Sequence, residues 1–140
     1  MKVSARHKAR ELALQGIYSW QLSKNPIEQV ELSLATSNDM QKVDMPYFQA
    51  LIRGVAAQSA TLDSAIKPYL GRLPEELDAI EKAILRLATY ELTQRMDVPY
   101  RVIINEAIEL AKSFGAEESH KFINGALDKA VRTLRKDERG

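Results

Sequence analysis

Apolar residues in this 140-residue chain recur at intervals of three and four, and no stretch of strand length alternates in twos. A chain with that period buries its hydrophobic stripes helix against helix. From residue 4 to about residue 23, Ala5, Ala9, Leu12, Ala13, Gly16, Ile17 and Trp20 fall on one stripe. Asn25-Pro26-Ile27-Glu28 reads as a helix start with Asn25 as its cap. Asp44 before Met45-Pro46 reads the same way and opens a helix carrying Tyr47, Phe48, Leu51, Ile52 and Val55. A further pattern through Leu62, Ile66 and Leu70 stops at Gly71. Pro74-Glu75-Glu76 opens a helix whose Leu77, Ile80, Ile84, Leu87, Ala88 and Leu92 form a wide apolar face. After a break at Asp97-Val98-Pro99, a helix over residues 102–114 ends at Gly115. The last helix, about residues 119–135, carries Ile123, Leu127, Ala130 and Leu134 on one seam, and the polar tail from Lys136 is expected to fray. The expected fold is all-α: one domain over residues 1–140, a compact bundle of about seven short helices in two packed halves.

Composition removes several function classes. There is no cysteine, which excludes disulfides, zinc–thiolate sites and cysteine nucleophiles. No apolar run approaches the ~18 residues of a membrane span, and the basic N-terminus is not followed by a signal-peptide core, so the cytoplasm is the expected compartment. His7 and His120 are the chain's two histidines. Glu117 and His120 have the Glu-x-x-His spacing of di-iron bundles, but Ser4 stands three before His7, so the second half of such a site is missing. No glycine-rich phosphate loop follows a strand. No catalytic residue, metal or cofactor is expected, and the chain reads as a binding protein.

Net charge is only +1, but its distribution is uneven. Lys2, Arg6, Lys8 and Arg10 are packed with His7 into the first ten residues, ahead of any acid. Arginine and lysine here suit a nucleic-acid backbone better than base edges. Opposite the first helix's core stripe lie Leu14, Tyr18 and Leu22, spaced four apart. This second stripe is either buried in a sandwiched helix or a docking surface for a partner protein; periodicity does not choose. On the last helix, Phe122 lies off the core seam, with Lys121 beside it and Gly125 and Lys129 on its face. A helical glycine costs around 1 kcal/mol relative to alanine, which suggests that something approaches there. Phe122 is then either a ring on which a base stacks or the edge of the core.

Four segments carry a family resemblance. Residues 99–115, Pro-Tyr-Arg-Val-Ile-Ile-Asn-Glu-Ala-Ile-Glu-Leu-Ala-Lys-Ser-Phe-Gly, and residues 121–128, Lys-Phe-Ile-Asn-Gly-Ala-Leu-Asp, closely resemble the NusB family of transcription antitermination factors. Residues 9–15 leading to Tyr18, and residues 81–88 ending in Tyr90-Glu91-Leu92, agree with it. The resemblance implies a bacterial, seven-helix protein that binds the single-stranded boxA element of nascent ribosomal RNA. It further implies a partner, NusE, a small-subunit ribosomal protein, and indirect association with RNA polymerase and other Nus factors. In that family the basic N-terminus contacts RNA, which maps here onto Lys2, Arg6, Lys8 and Arg10.

The candidate RNA-binding set is Lys2, Arg6, His7, Lys8 and Arg10 with Lys121, Phe122 and Asn124. The candidate partner surface is Tyr18 and Leu22, with Glu75, Glu81 and Arg86 from the fifth helix. An N-terminus often richer in arginine is diluted here by His7 and Lys8; a neutral histidine releases no counterion, so affinity is expected to rise with acidity. The chain also resembles the N-terminal domain of certain ribosomal RNA cytosine methyltransferases. Those enzymes need a catalytic domain and cysteine nucleophiles, so an RNA-binding module alone is expected here. A protein–protein adaptor without RNA contact is the third reading.

Overall fold

The computed structural model describes residues 4–139. Among them are seven α-helices, two 3-10 turns and no strand. Helix α1 spans Ala5–Leu22, α2 Ile27–Ser37, α3 Met45–Ile66, α4 Ala79–Gln94, α5 Tyr100–Phe114, α6 Ser119–Leu134 and α7 Lys136–Arg139, with 3-10 turns at Lys67–Tyr69 and Pro74–Glu76. The chain divides into two compact units, Met1–Gln58 and Ser59–Gly140. The division falls inside α3, where Gln58 leaves helical geometry (φ −118°, ψ 17°). The two apolar patterns of α3 that read as separate helices are therefore one element with a break between them.

The first unit comprises α1, α2 and the N-terminal part of α3. Ser4 starts α1 by accepting the His7 N–H (3.0 Å), and Asp44 starts α3 by accepting that of Tyr47 (3.1 Å). Asn25 does not cap α2: its own N–H is taken by Ser23 Oγ (3.3 Å), and Pro26 holds the cap position without a side-chain bond. Proline's fixed φ starts the helix there. Ala9, Leu12, Ala13, Gly16 and Ile17 are buried as their stripe requires, while Ala5 is exposed and Trp20 half-buried. The opposite stripe runs out of the core: Leu14 is buried, Tyr18 half-buried and Leu22 63% exposed.

Gly16 lies where α1 meets its neighbours. A Cβ at this position would come 2.5 Å from Ile52 Cδ1 and 2.9 Å from Leu34 Cδ1. Overpacking of this kind costs about 1–3 kcal/mol, against a gain of about 1 kcal/mol in helix propensity. Gly16→Ala is expected to lower stability by a net of up to ~2 kcal/mol. A thermal melt reads this directly, and an unchanged or raised Tm would mean that Ile52 and Leu34 yield freely.

The second unit is built on α4, α5 and α6, which pack on one another; α6 also meets the turn at Lys67–Tyr69 and α7. Its core holds Ile84, Leu87, Leu92, Ile103, Leu110, Ile123, Leu127 and Ala130, whereas Leu77, Ile80 and Leu134 are half-buried. Pro74-Glu75-Glu76 forms a 3-10 turn and not the start of α4. The helix begins at Asp78, whose carboxylate accepts from Glu81 N (2.7 Å) while Glu81 Oε1 accepts from Asp78 N (3.2 Å). This reciprocal pair satisfies two N–H groups at the helix start, which the proline turn could not. Gly115 ends α5 with ordinary extended backbone (φ −89°); a Cβ there would sit 2.7 Å from Ala111 O. The tail does not fray at once. Arg135 is 3% exposed, and the chain after it turns into α7.

Candidate nucleic-acid interface

In the first unit the basic groups gather at the start of α1, whose first turn contains no acidic residue. A helix N-terminus carries partial positive charge, so cations there cost stability instead of adding it. Asp44 and Tyr47 of the first unit offset that cost. Arg6 lies over the Tyr47 ring, 4.3 Å from its centroid, with Nε 3.5 Å from Asp44 Oδ2. Its side chain is still 41% exposed, so a held guanidinium remains open to solvent. His7 is half-buried with Nε2 3.6 Å from Glu11 Oε1, and Lys8 is half-buried.

Arg10 is placed differently. It is 3% exposed and stacks over the same Tyr47 ring at 5.3 Å. Its position on the flank of the core stripe rolls the side chain inward, so it acts in packing and presents no surface cation. Arg10 is thus less open to a phosphate than Arg6. Lys2 lies outside the described residues.

The second unit brings together a ring, a carboxylate and two cations near the start of α6. Phe122 is half-buried and the Arg72 guanidinium covers its ring at 3.8 Å from the centroid. Lys121 is exposed and pairs with Glu118 (2.7 Å), while Asn124 and Gly125 are exposed. Among the described residues, a Cβ on Gly125 would meet nothing within 4 Å, so none of them requires glycine there. Glu81, by contrast, is 5% exposed. Besides its capping bond it accepts from Ser119 Oγ (3.0 Å) and stands 3.8 Å from Arg72 Nη1. Its carboxylate is thus engaged inside the protein, with the start of α4, Ser119 and Arg72. Arg86 is likewise held, with bonds of 2.9 and 2.8 Å to Asp63. Glu75 is exposed on the 3-10 turn.

An open hollow of about 540 Å³ in the first unit is lined by Trp20, Ile27, Glu28, Glu31, Arg53, Ala56 and Ala57. Arg53 binds Glu31 (2.7 and 2.8 Å), and that hydrogen bonding holds the Glu31 carboxyl below its ordinary range. Glu31 neutralises Arg53, so this hollow offers no excess cation and does not extend the basic surface.

Sequence reading gave Asp44 as a helix start and Tyr47 as part of an apolar face, but not their pairing with Arg6, and it missed Arg72. These pairings act across long sequence separations, and no local pattern marks them. The structural role of Glu81 did have a signal, the Asp-x-x-Glu spacing of Asp78 and Glu81 just before an apolar run.

A model of the NusB family matches residues 7–132. The protein of Alteromonas mediterranea described as transcription antitermination protein NusB is 85% identical over 139 residues, covering 99% of each chain. Its counterpart in Escherichia coli O139:H28 is 58% identical, covering 99% of this chain and 100% of its own. Among solved structures, a T. maritima NusB superposes with a TM-score of 0.85 at 29% identity, covering 99% of each chain. The antitermination factor NusB solved with NusE and double-stranded RNA gives 0.83 at 22% identity, covering 91% of this chain and 96% of its own, a likeness of fold alone.

Proposed function

The chain belongs to the NusB family, and from that premise we propose that it is a cytoplasmic transcription antitermination factor that binds the boxA element of nascent ribosomal RNA together with NusE. In this reading the whole chain serves as one RNA-binding module, which joins other Nus factors on RNA polymerase and suppresses premature termination. The observation that supports it most is the cluster of cations at the positive end of α1. Such charges oppose the helix and are accounted for by an anionic ligand. Arg6 and Lys8 hold the backbone phosphates, and His7 lies within the same turn. Lys121, Phe122 and Asn124 supply a cation, a stacking ring and an amide that can meet a base edge. A ring of this kind favours single-stranded RNA, whose bases are free to stack.

NusE, which was crystallised with a NusB of this fold, docks in this reading on the solvent-facing end of α1, at Tyr18 and Leu22, and Glu75 of the second unit supplies a polar contact of its own. Glu81 and Arg86 serve it indirectly by fixing the start and middle of α4.

The test is a titration of single-stranded boxA RNA over a range of salt. The logarithm of affinity should fall with the logarithm of salt at roughly −0.7 per phosphate contact. Arg6→Ala and Lys121→Ala should each flatten the slope by about that amount. Arg10 is unsuited to the experiment because it is buried. NusE should tighten RNA binding, and RNA should tighten NusE binding by the same factor. Slopes unchanged in both variants would put the RNA elsewhere.

A further inference from the structure

We propose that Arg72 is a further RNA-contacting residue: its guanidinium, stacked on Phe122, presents its outer face to a nucleobase, so that the stacking platform has two layers. The inference rests on the reading above that the start of α6 binds RNA. The separation of 3.8 Å between the Arg72 carbon and the Phe122 ring centroid is a stacking distance. The Arg72 side chain is 41% exposed, so its outward side is accessible. Among the described residues Arg72 donates no hydrogen bond; its other contact is the ion pair with Glu81 at 3.8 Å. A planar cation with five N–H donors thus lies over an aromatic ring with one edge turned to Glu81 and no donor engaged in a hydrogen bond. Guanidinium planes are stacking surfaces for unpaired bases, and their edges suit phosphate and base acceptors.

The surroundings hold Arg72 in that position. Gly71, at φ +65°, makes a turn that L side chains rarely adopt and sets the direction in which Arg72 leaves the chain. The facing Glu81 carboxylate is buried and fixed by Asp78 N (3.2 Å) and Ser119 Oγ (3.0 Å), so the counter-charge cannot drift. A base seated directly on this face of Phe122 would have to displace the guanidinium and lose the cation–π contact. A base seated on Arg72 keeps it. Lys121, next to Phe122 in sequence, is exposed and able to meet the adjoining phosphate.

The experiment compares the full-length protein with R72A, R72K, F122L and K121A by titration of single-stranded boxA RNA at fixed salt, with a denaturant midpoint for each variant. Loss of one stacked base corresponds to about 5- to 150-fold in affinity, and R72A should fall in that range. R72K should lose nearly as much, with an unchanged salt slope, because an ammonium keeps the charge without the plane. F122L should weaken binding in the wild-type background and add little in R72K, since the layers act as one unit. Wild-type affinity in R72K would reduce Arg72 to a point charge and overturn the proposal. Equal or tighter binding by R72A would make Arg72 a lid over Phe122 and overturn it too. If F122L and K121A both bind like wild type, the reading of the α6 surface fails first. If they weaken binding while the Arg72 variants do not, the failure belongs to the Arg72 proposal.

Discussion

Arg135→Met is expected to destabilise the protein by about 3–5 kcal/mol, the cost of removing one partner from a buried charged network. Arg135 is 3% exposed and donates to the carbonyls of Leu92 (2.7 Å), Val98 (2.9 Å), Arg95 (2.9 Å) and Glu91 (3.2 Å). The last carbonyls of a helix have no partner within it, and here a cation from beyond α6 satisfies those at the end of α4. Glu138 completes the arrangement: it accepts from Arg135 and, at 3.0 Å, from the Tyr100 N–H at the start of α5. Methionine keeps much of the volume and none of the donors, so the buried Leu92 and Val98 carbonyls lose their partner, while those of Glu91 and Arg95 keep the N–H groups of Arg95 and Val98. In urea this corresponds to a midpoint lower by roughly 2 M for a protein of this size. Arg135→Lys should recover only part of the loss, because three donors on one nitrogen cannot reproduce the planar fork. A shift equivalent to less than about 1 kcal/mol in Arg135→Met would show that the network does not hold the second unit together.

The same network sets a pH dependence. The Tyr100 N–H, and after it Arg135, hold the Glu138 carboxyl below its ordinary value of 4.5. A group whose folded value is depressed contributes stability that is complete above the unfolded value and is lost as pH falls through the folded one. The contribution is modest, because the Glu138 side chain is 35% exposed. It should be present at neutral pH, begin to fade below about pH 4.5 and be reduced but not abolished in Arg135→Met, which leaves the Tyr100 N–H in place.

Tyr47→Ala is expected to cost about 3–5 kcal/mol, the usual range for deleting a buried aromatic. Tyr47 is 2% exposed and lies beneath both Arg6 and Arg10. Two guanidinium groups near one ring repel each other, and the ring's negative face is part of what makes their proximity tolerable. Tyr47→Leu separates the two contributions. Leucine restores most of the apolar contact but no quadrupole, so a loss of about 2–3 kcal/mol should remain. Released from the ring, Arg6 would still carry its charge. The salt slope of RNA binding should therefore persist in Tyr47→Leu while overall affinity falls, since the cation is no longer held in place. Denaturant melts and salt titrations on this one variant distinguish the roles. Wild-type stability in Tyr47→Leu would mean that the ring contributes only volume.

The sequence by itself determined the helical class, the stripe on each helix and the family. Those properties lie in spacing: 3.6-residue periodicity places Ala9, Leu12, Gly16 and Ile17 on one face whatever that face meets. Two Asn-containing blocks, at residues 104–107 and 122–128, are specific enough to identify the family before any coordinates. Tertiary structure decided how far each stripe is covered. Leu14, Tyr18 and Leu22 are equivalent by spacing, yet they run from buried to 63% exposed because the covering ends before the last turn of α1. It also decided which charges face outward. Arg6 and Arg10 are one turn apart and look alike in sequence, but only Arg6 remains open to solvent. Arg72, Tyr47 and Arg135 found their roles through contacts tens of residues away, between a ring and a cation or a guanidinium and a helix end. Hydrophobic periodicity is a local property and survives in the sequence. The pairing of a charge with its distant partner exists only once the chain has closed around it.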